Sequence, residues 1–169
     1  MANFSRYIIK EKQLNLTEAV KVAIEHWSNC TLATEVTLGK ANQVDFVGTH
    51  SKYGEIRIEF ERRREDPLNN VVKAWRQASK NTNEEFLLIH IFSGFYISKK
   101  SKYENAIFVG EQINFWATSR KRKIGYLSVL LDYIPAKGDS NPIVTEDEAL
   151  HINSQVSEQL NLAIDRLKI

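Results

Sequence analysis

Residues Glu85 to Phe92 read Glu-Phe-Leu-Leu-Ile-His-Ile-Phe, an almost unbroken apolar run. So short a run is a strand, and a strand that is apolar on both of its alternating sides has to be covered on both faces. It therefore reads as a central strand of a sheet that carries helices on its faces. His90, inside this run, reads as a hydrogen-bonded structural histidine.

The surrounding segments supply such elements. Asn15-Leu16-Thr17-Glu18 forms a capping box, and Leu16, Val20, Ala23, Ile24 and Trp27 recur at helical spacing, which predicts a helix near 16–29. Residues 31–38 and 43–48 are rich in β-branched and aromatic residues, with Gly39 and Asn42 between them, and predict two strands. From Glu55 to Arg63, apolar Ile56, Ile58 and Phe60 alternate with Arg57, Glu59, Glu61 and Arg63, the pattern of a half-buried strand. Asp66-Pro67 places a capping side chain before a helix-starting Pro, and Leu68, Val71, Val72 and Trp75 form an apolar stripe to about Lys80. A helix over 105–117, a strand over 124–134 and a last helix from the capping box Thr145–Glu148 to about residue 167 complete the pattern. With 169 residues, the expectation is one α/β domain over 1–169, a central mixed sheet flanked by helices.

Several function classes fall away. No GxGxxG or GxxxxGK[ST] loop is present to cradle a nucleotide phosphate. Cys30 is the sole cysteine, which excludes an intramolecular disulfide and suits a reducing, cytoplasmic setting. No apolar stretch is long enough for a membrane span, and neither membrane insertion nor secretion is expected. The net charge is only +2, but it is unevenly placed. Residues 139–169 carry two cations against six anions, leaving 21 cations against 15 anions, or +6, on residues 1–138. The densest cationic stretches are Lys99, Lys100 and Lys102, and the run Arg120-Lys121-Arg122-Lys123. Both are either natural phosphate contacts or solvated loops.

Candidate chemistry sits on the hairpin. If 43–48 and 55–63 pair about Lys52 and Tyr53, facing positions sum to about 104 and Asp45 lies opposite Glu59. Opposed Cβ atoms in such a pair are about 4.5 to 5.5 Å apart, and Glu61 is the diagonal neighbour on the same face. Three carboxylates then converge, and a hard divalent cation would offset their repulsion. The alternative is a solvated face on which Arg57 and Arg63 neutralise the glutamates.

The run Val44-Asp45-Phe46-Val47-Gly48, a turn, Ile56-Arg57-Ile58-Glu59-Phe60-Glu61 and a following helix resembles the core of the PD-(D/E)xK, or restriction-endonuclease-like, nuclease superfamily, over roughly residues 16–93. The resemblance implies that Asp45 and Glu59 hold Mg²⁺, or Mn²⁺ in its place, with the Phe60 carbonyl as a further ligand. Glu61 stands where Lys is usual, as in members that carry ExE, and would complete a second metal position or orient the water. Val44 replaces the usual Pro. Lys73, on a helix face shared with Asn70 and Gln77, would take the place of the missing Lys, and Glu25 on the first helix would add a metal ligand. The implied function is Mg²⁺-dependent hydrolysis of DNA phosphodiester bonds. Arg62, Arg63, Arg64, Asn70, Arg76, Arg120, Lys121, Arg122 and Lys123 would contact the nucleic acid, mostly on its backbone.

Two other readings stay open. One keeps the fold without the chemistry, as a nucleic-acid-binding or protein-interaction module. The other is an assembly protein that forms a homodimer through the C-terminal helix, where Leu150, Val156, Leu160, Ile164 and Leu167 are core or dimer face.

Overall fold

The computed structural model describes residues 13–38 and 42–167. Asn15 opens the first helix as its spacing predicts. Its side chain accepts the Glu18 N–H at 2.9 Å, and the Glu18 carboxylate accepts the Asn15 N–H at 3.0 Å. The chain then runs α1 (Leu16–Ser28), β1 (Ala33–Leu38), β2 (Asn42–His50), β3 (Gly54–Glu61), α2 (Leu68–Lys80), β4 (Phe86–Phe92), a single 3₁₀ turn (Gly94–Ile97), α3 (Lys100–Ser119), β5 (Ile124–Leu130) and α4 (Glu146–Ile164). Thr145 and Glu148 close the expected capping box on α4.

The five strands lie in sequence order, β1-β2-β3-β4-β5. β1, β2 and β3 form an antiparallel meander, and β4 and β5 continue it in parallel with β3. Gly54 closes the β2–β3 turn with a φ of +74°, which a residue without Cβ adopts freely. A parallel strand has to return by a crossover, and α2 and α3 are those crossovers. They lie on one face, where Val71, Ala78, Ala106, Ile113 and Ala117 pack on Phe86, Leu88, Phe92 and Tyr126. α1 and α4 cover the other face, over Phe46, Ile56, Ile58, Ile89 and Val129. Every residue of β4 is buried, as its apolar run requires. The result is a five-stranded mixed sheet with helices on both faces, the α/β architecture expected.

Five expectations change. β3 is buried on both sides rather than half-buried, because α2 returns over its charged face. In α2 the buried positions are Asn70, Val71 and Ala78, while Val72 is exposed. Asp66 does not cap α2; its carboxylate accepts the Asn69 amide at 2.8 Å, and no side chain caps that helix. α3 starts five residues earlier than expected and β5 ends at Leu130. Of the face weighed as core or dimer surface, Val156 and Leu160 on α4 are fully buried and Ile164 and, just past the helix, Leu167 pack beside them against the α1 layer, while part-buried Leu150 is outside that cluster.

Candidate functional site

The register of the β2–β3 hairpin pairs Phe46 with Ile58 and Val47 with Arg57. One further step sets Asp45 beside Glu59, where the ladder ends and the Asp45 carboxylate accepts the Phe60 N–H at 2.8 Å. On β3, strand alternation sends Ile56, Ile58 and Phe60 toward α1 and α4, and Arg57, Glu59 and Glu61 toward α2. Glu59 and Glu61 are 7% and 2% exposed. The face expected to be either a site or a wet hairpin surface is thus the interior of a layer.

The arginines of the wet-surface alternative point elsewhere. Arg57 pairs with Glu55 at 2.5 Å and Glu84 at 3.3 Å, and its guanidinium lies 3.9 Å from the Phe86 ring centre. Arg63 donates to the Pro135 carbonyl at 2.7 Å and lies over Phe95. Among the described residues, the acids that share this face are held by donors of another kind. The Asn70 amide donates to Glu59 Oε2 at 3.0 Å and to Glu61 Oε1 at 2.7 Å. His90 Nε2 lies 3.2 Å from the same Glu61 oxygen, and Tyr126 Oη lies 3.2 Å from His90 Nδ1. The nearest cation is Arg64, half-exposed, with Nη1 at 3.8 Å from Glu61 Oε1. Each of the three carboxylates therefore has one oxygen anchored, and the other carries no hydrogen bond among the described residues.

Electrostatics follow from this crowding. Burial, then the charges of Asp45 and Glu61, push the Glu59 carboxyl up to about 8, against weaker opposing pulls from Arg64 and Lys73. Burial also raises Asp45, assisted by Glu61 and opposed by the Phe60 N–H, Arg62 and Arg64. His90 is lowered by burial, with Glu61 acting against it. Of the three acids, Glu59 is therefore the one that keeps its proton to near-neutral pH.

Of the residues expected at the site, the structure brings Asp45, Glu59 and Glu61 together and puts Lys73, exposed on α2, close enough for Glu59 to feel its charge. Glu25 does not join them. Its carboxylate accepts the Leu32 N–H at 2.9 Å and faces Lys21 at 3.6 Å, and α1 lies on the opposite face of the sheet. Asn70, expected to touch nucleic acid, is buried between two acids. Arg62 donates to Thr17 Oγ1 at 3.3 Å, and Arg76 is exposed on α2.

The basic run 120–123 lies at the wrong end. It precedes β5, whereas Glu61 is level with Phe92 and Leu130 at the strands' C-terminal ends, about 20 Å along the sheet. There Arg122 donates to the carbonyls of Ala78, Asn81 and Glu84, Lys123 pairs with Glu85, and Arg120 stacks on Trp116, while Lys121 is exposed. The other cationic stretch, Lys99 to Lys102, opens α3 just beyond β4, at the same end as the acids. Sequence reasoning missed Asn70 as an acid-bridging group and Tyr126 entirely. The signal for His90 was a polar residue inside an apolar strand, which shows that a partner exists but not that the partner is Glu61.

The donor chemistry suits a hard cation, since carboxylate oxygens are the ligands Mg²⁺ prefers. As the side chains stand, no group of three or more His, Cys, Asp or Glu among the described residues is arranged to enclose an ion. No helix among the described residues is long and apolar enough to cross a membrane. No protein-family model matches the chain, and no curated protein matches it in sequence.

Proposed function

We propose that the chain is a divalent-cation-dependent endonuclease acting on DNA in the cytoplasm, of the restriction-endonuclease-like PD-(D/E)xK type in an ExE form. One observation carries the reading: among the described residues, part-buried Asp45 and buried Glu59 and Glu61 share a face with no Arg or Lys bonded to Asp45 or Glu59, and Glu59 is pushed up to about 8 by burial and then by its acidic neighbours. Buried like charges are costly unless something compensates them. The order of elements, one helix, three antiparallel strands, a helix and a parallel strand, also supports it.

In this reading Asp45 and Glu59 hold Mg²⁺ or Mn²⁺, with Glu61 beside them. The ion, when bound, supplies Lewis acidity toward the scissile phosphodiester and the attacking water. Glu59 holds a proton at its carboxyl when no cation is present and gives it up as a cation enters. Lys73 stabilises charge that develops on the phosphate. Arg64, Lys99 and Lys100 grip the backbone on the side of the strand ends.

The test is nicking of supercoiled plasmid. Cleavage with Mg²⁺ or Mn²⁺ that disappears in chelator and in the Glu59→Ala variant is expected. DNA binding that weakens with salt, without cleavage in either ion, favours a binding module of the same fold. That no three-acid enclosure stands ready among the described residues is the observation on the side of that second reading.

A further inference from the structure

We infer that Asn70, together with His90 and Tyr126, is a positioning assembly that holds Glu59 and Glu61 open for a cation. The inference rests on the proposed metal-dependent function and assigns roles to three residues outside the sequence motif.

The chemistry of the holders is the argument. A carboxamide NH₂ has two hydrogens, and Asn70 uses them on two different acids, Glu59 Oε2 at 3.0 Å and Glu61 Oε1 at 2.7 Å. One neutral group thus fixes the spacing and rotation of two like-charged side chains. An Arg or Lys at this position would fix them equally well, but it would also cancel their charge and leave nothing for an ion to bind. Asn70 orients the acids without neutralising them. Its bonds also fall on one oxygen of each acid, and the second oxygen of each carries no bond among the described residues.

His90 and Tyr126 extend the assembly across the sheet. His90 is level with Glu59 on β3 and with Ser128 on β5, and its ring is fully buried. Nε2 meets Glu61 Oε1 and Nδ1 meets the Tyr126 hydroxyl, so the phenol orients the ring and the ring orients the acid. The Tyr126 backbone is itself locked: its N–H donates to the Asn114 side chain at 2.7 Å, and its carbonyl accepts from the same amide at 3.0 Å. Three strands and two helices therefore converge on the rotamer of Glu61. Outer-shell partners of this kind hold metal ligands in place.

The experiment is a calorimetric titration of Mn²⁺ into the full-length protein and its Asn70→Ala, His90→Ala, His90→Gln and Tyr126→Phe variants, with stability in chelator measured in parallel. Asn70→Ala and His90→Ala should weaken Mn²⁺ binding by about tenfold to a hundredfold. His90→Gln, whose amide nitrogen can occupy the Nε2 position, should recover most of that loss. Tyr126→Phe, which removes one oxygen, should weaken binding several-fold and serves as the deciding variant if Asn70→Ala does not fold. Wild-type affinity in folded Asn70→Ala, or in Tyr126→Phe when that variant decides, overturns the inference while leaving the metal site standing. A wild-type protein that does not bind Mn²⁺ overturns the proposed function beneath it.

Discussion

Replacing Glu59 with Gln tests the charge balance of the buried face without a cation or a substrate. Gln keeps the shape and an oxygen to accept from Asn70, but it cannot ionise. In the wild type the Glu59 carboxyl is raised from 4.5 to about 8 on folding, so between those values the folded state holds a proton that the unfolded state has released. Stability then falls as pH rises. The contribution of the protonated carboxyl is fully present below about pH 4.5 and is lost on passing through about pH 8. At 1.36 kcal/mol per unit the shift is linked to on the order of 5 kcal/mol. Urea denaturation in chelator from pH 4 to 9 should therefore find the two proteins nearly equal at the acid end. Glu59→Gln should gain on the wild type with rising pH, to a midpoint difference of about 2 M urea. A variant that is no more stable than wild type at pH 8, or a difference that does not change with pH, would refute the claim that Glu59 is buried among uncompensated acids.

Further outcomes follow from the same geometry. Stabilisation of the wild type by Mg²⁺, followed by thermal unfolding, should grow from pH 5 to pH 8, because cation and proton compete for Glu59, and Glu59→Gln should lose most of it. A methyl at Gly110 would run into the Tyr126 ring, so Gly110→Ala should cost about 1 to 3 kcal/mol in urea denaturation; an unchanged midpoint would show that α3 does not press on Tyr126. Arg122→Ala should lower stability by about 1 to 3 kcal/mol through its lost carbonyl bonds and leave the salt dependence of DNA binding unchanged. Lys73→Ala should reduce the salt slope of that binding by about one.

Much of the arrangement is legible in the sequence because it is local. The capping boxes at Asn15 and Thr145 and the apolar run of β4 depend on residues a few positions apart, and the turn-centred register that puts Asp45 beside Glu59 spans one hairpin. What is not legible depends on what comes back over a face. The alternation in β3 looks half-wet because charged residues usually are; here α2 covers it, and Arg57 is buried by pairing with Glu84 and stacking on Phe86. Asn70 sits on a helix side that looks polar, and only the packing of α2 on β3 turns it toward two acids. The remoteness of Arg120 to Lys123 follows from β5 running parallel to β3, a choice of direction that no stretch of sequence states. Glu25 matches a position on α1 but is spent on the start of β1.

The central claim is that Asp45, Glu59 and Glu61 together take a divalent cation. The most direct measurement is anomalous diffraction from crystals soaked in Mn²⁺ at a pH above the Glu59 titration. The account predicts a single strong peak within coordination distance of Asp45 and Glu59, absent from Glu59→Gln crystals. No peak in well-ordered wild-type crystals, or a lysine or arginine side chain lying in that space, would contradict it.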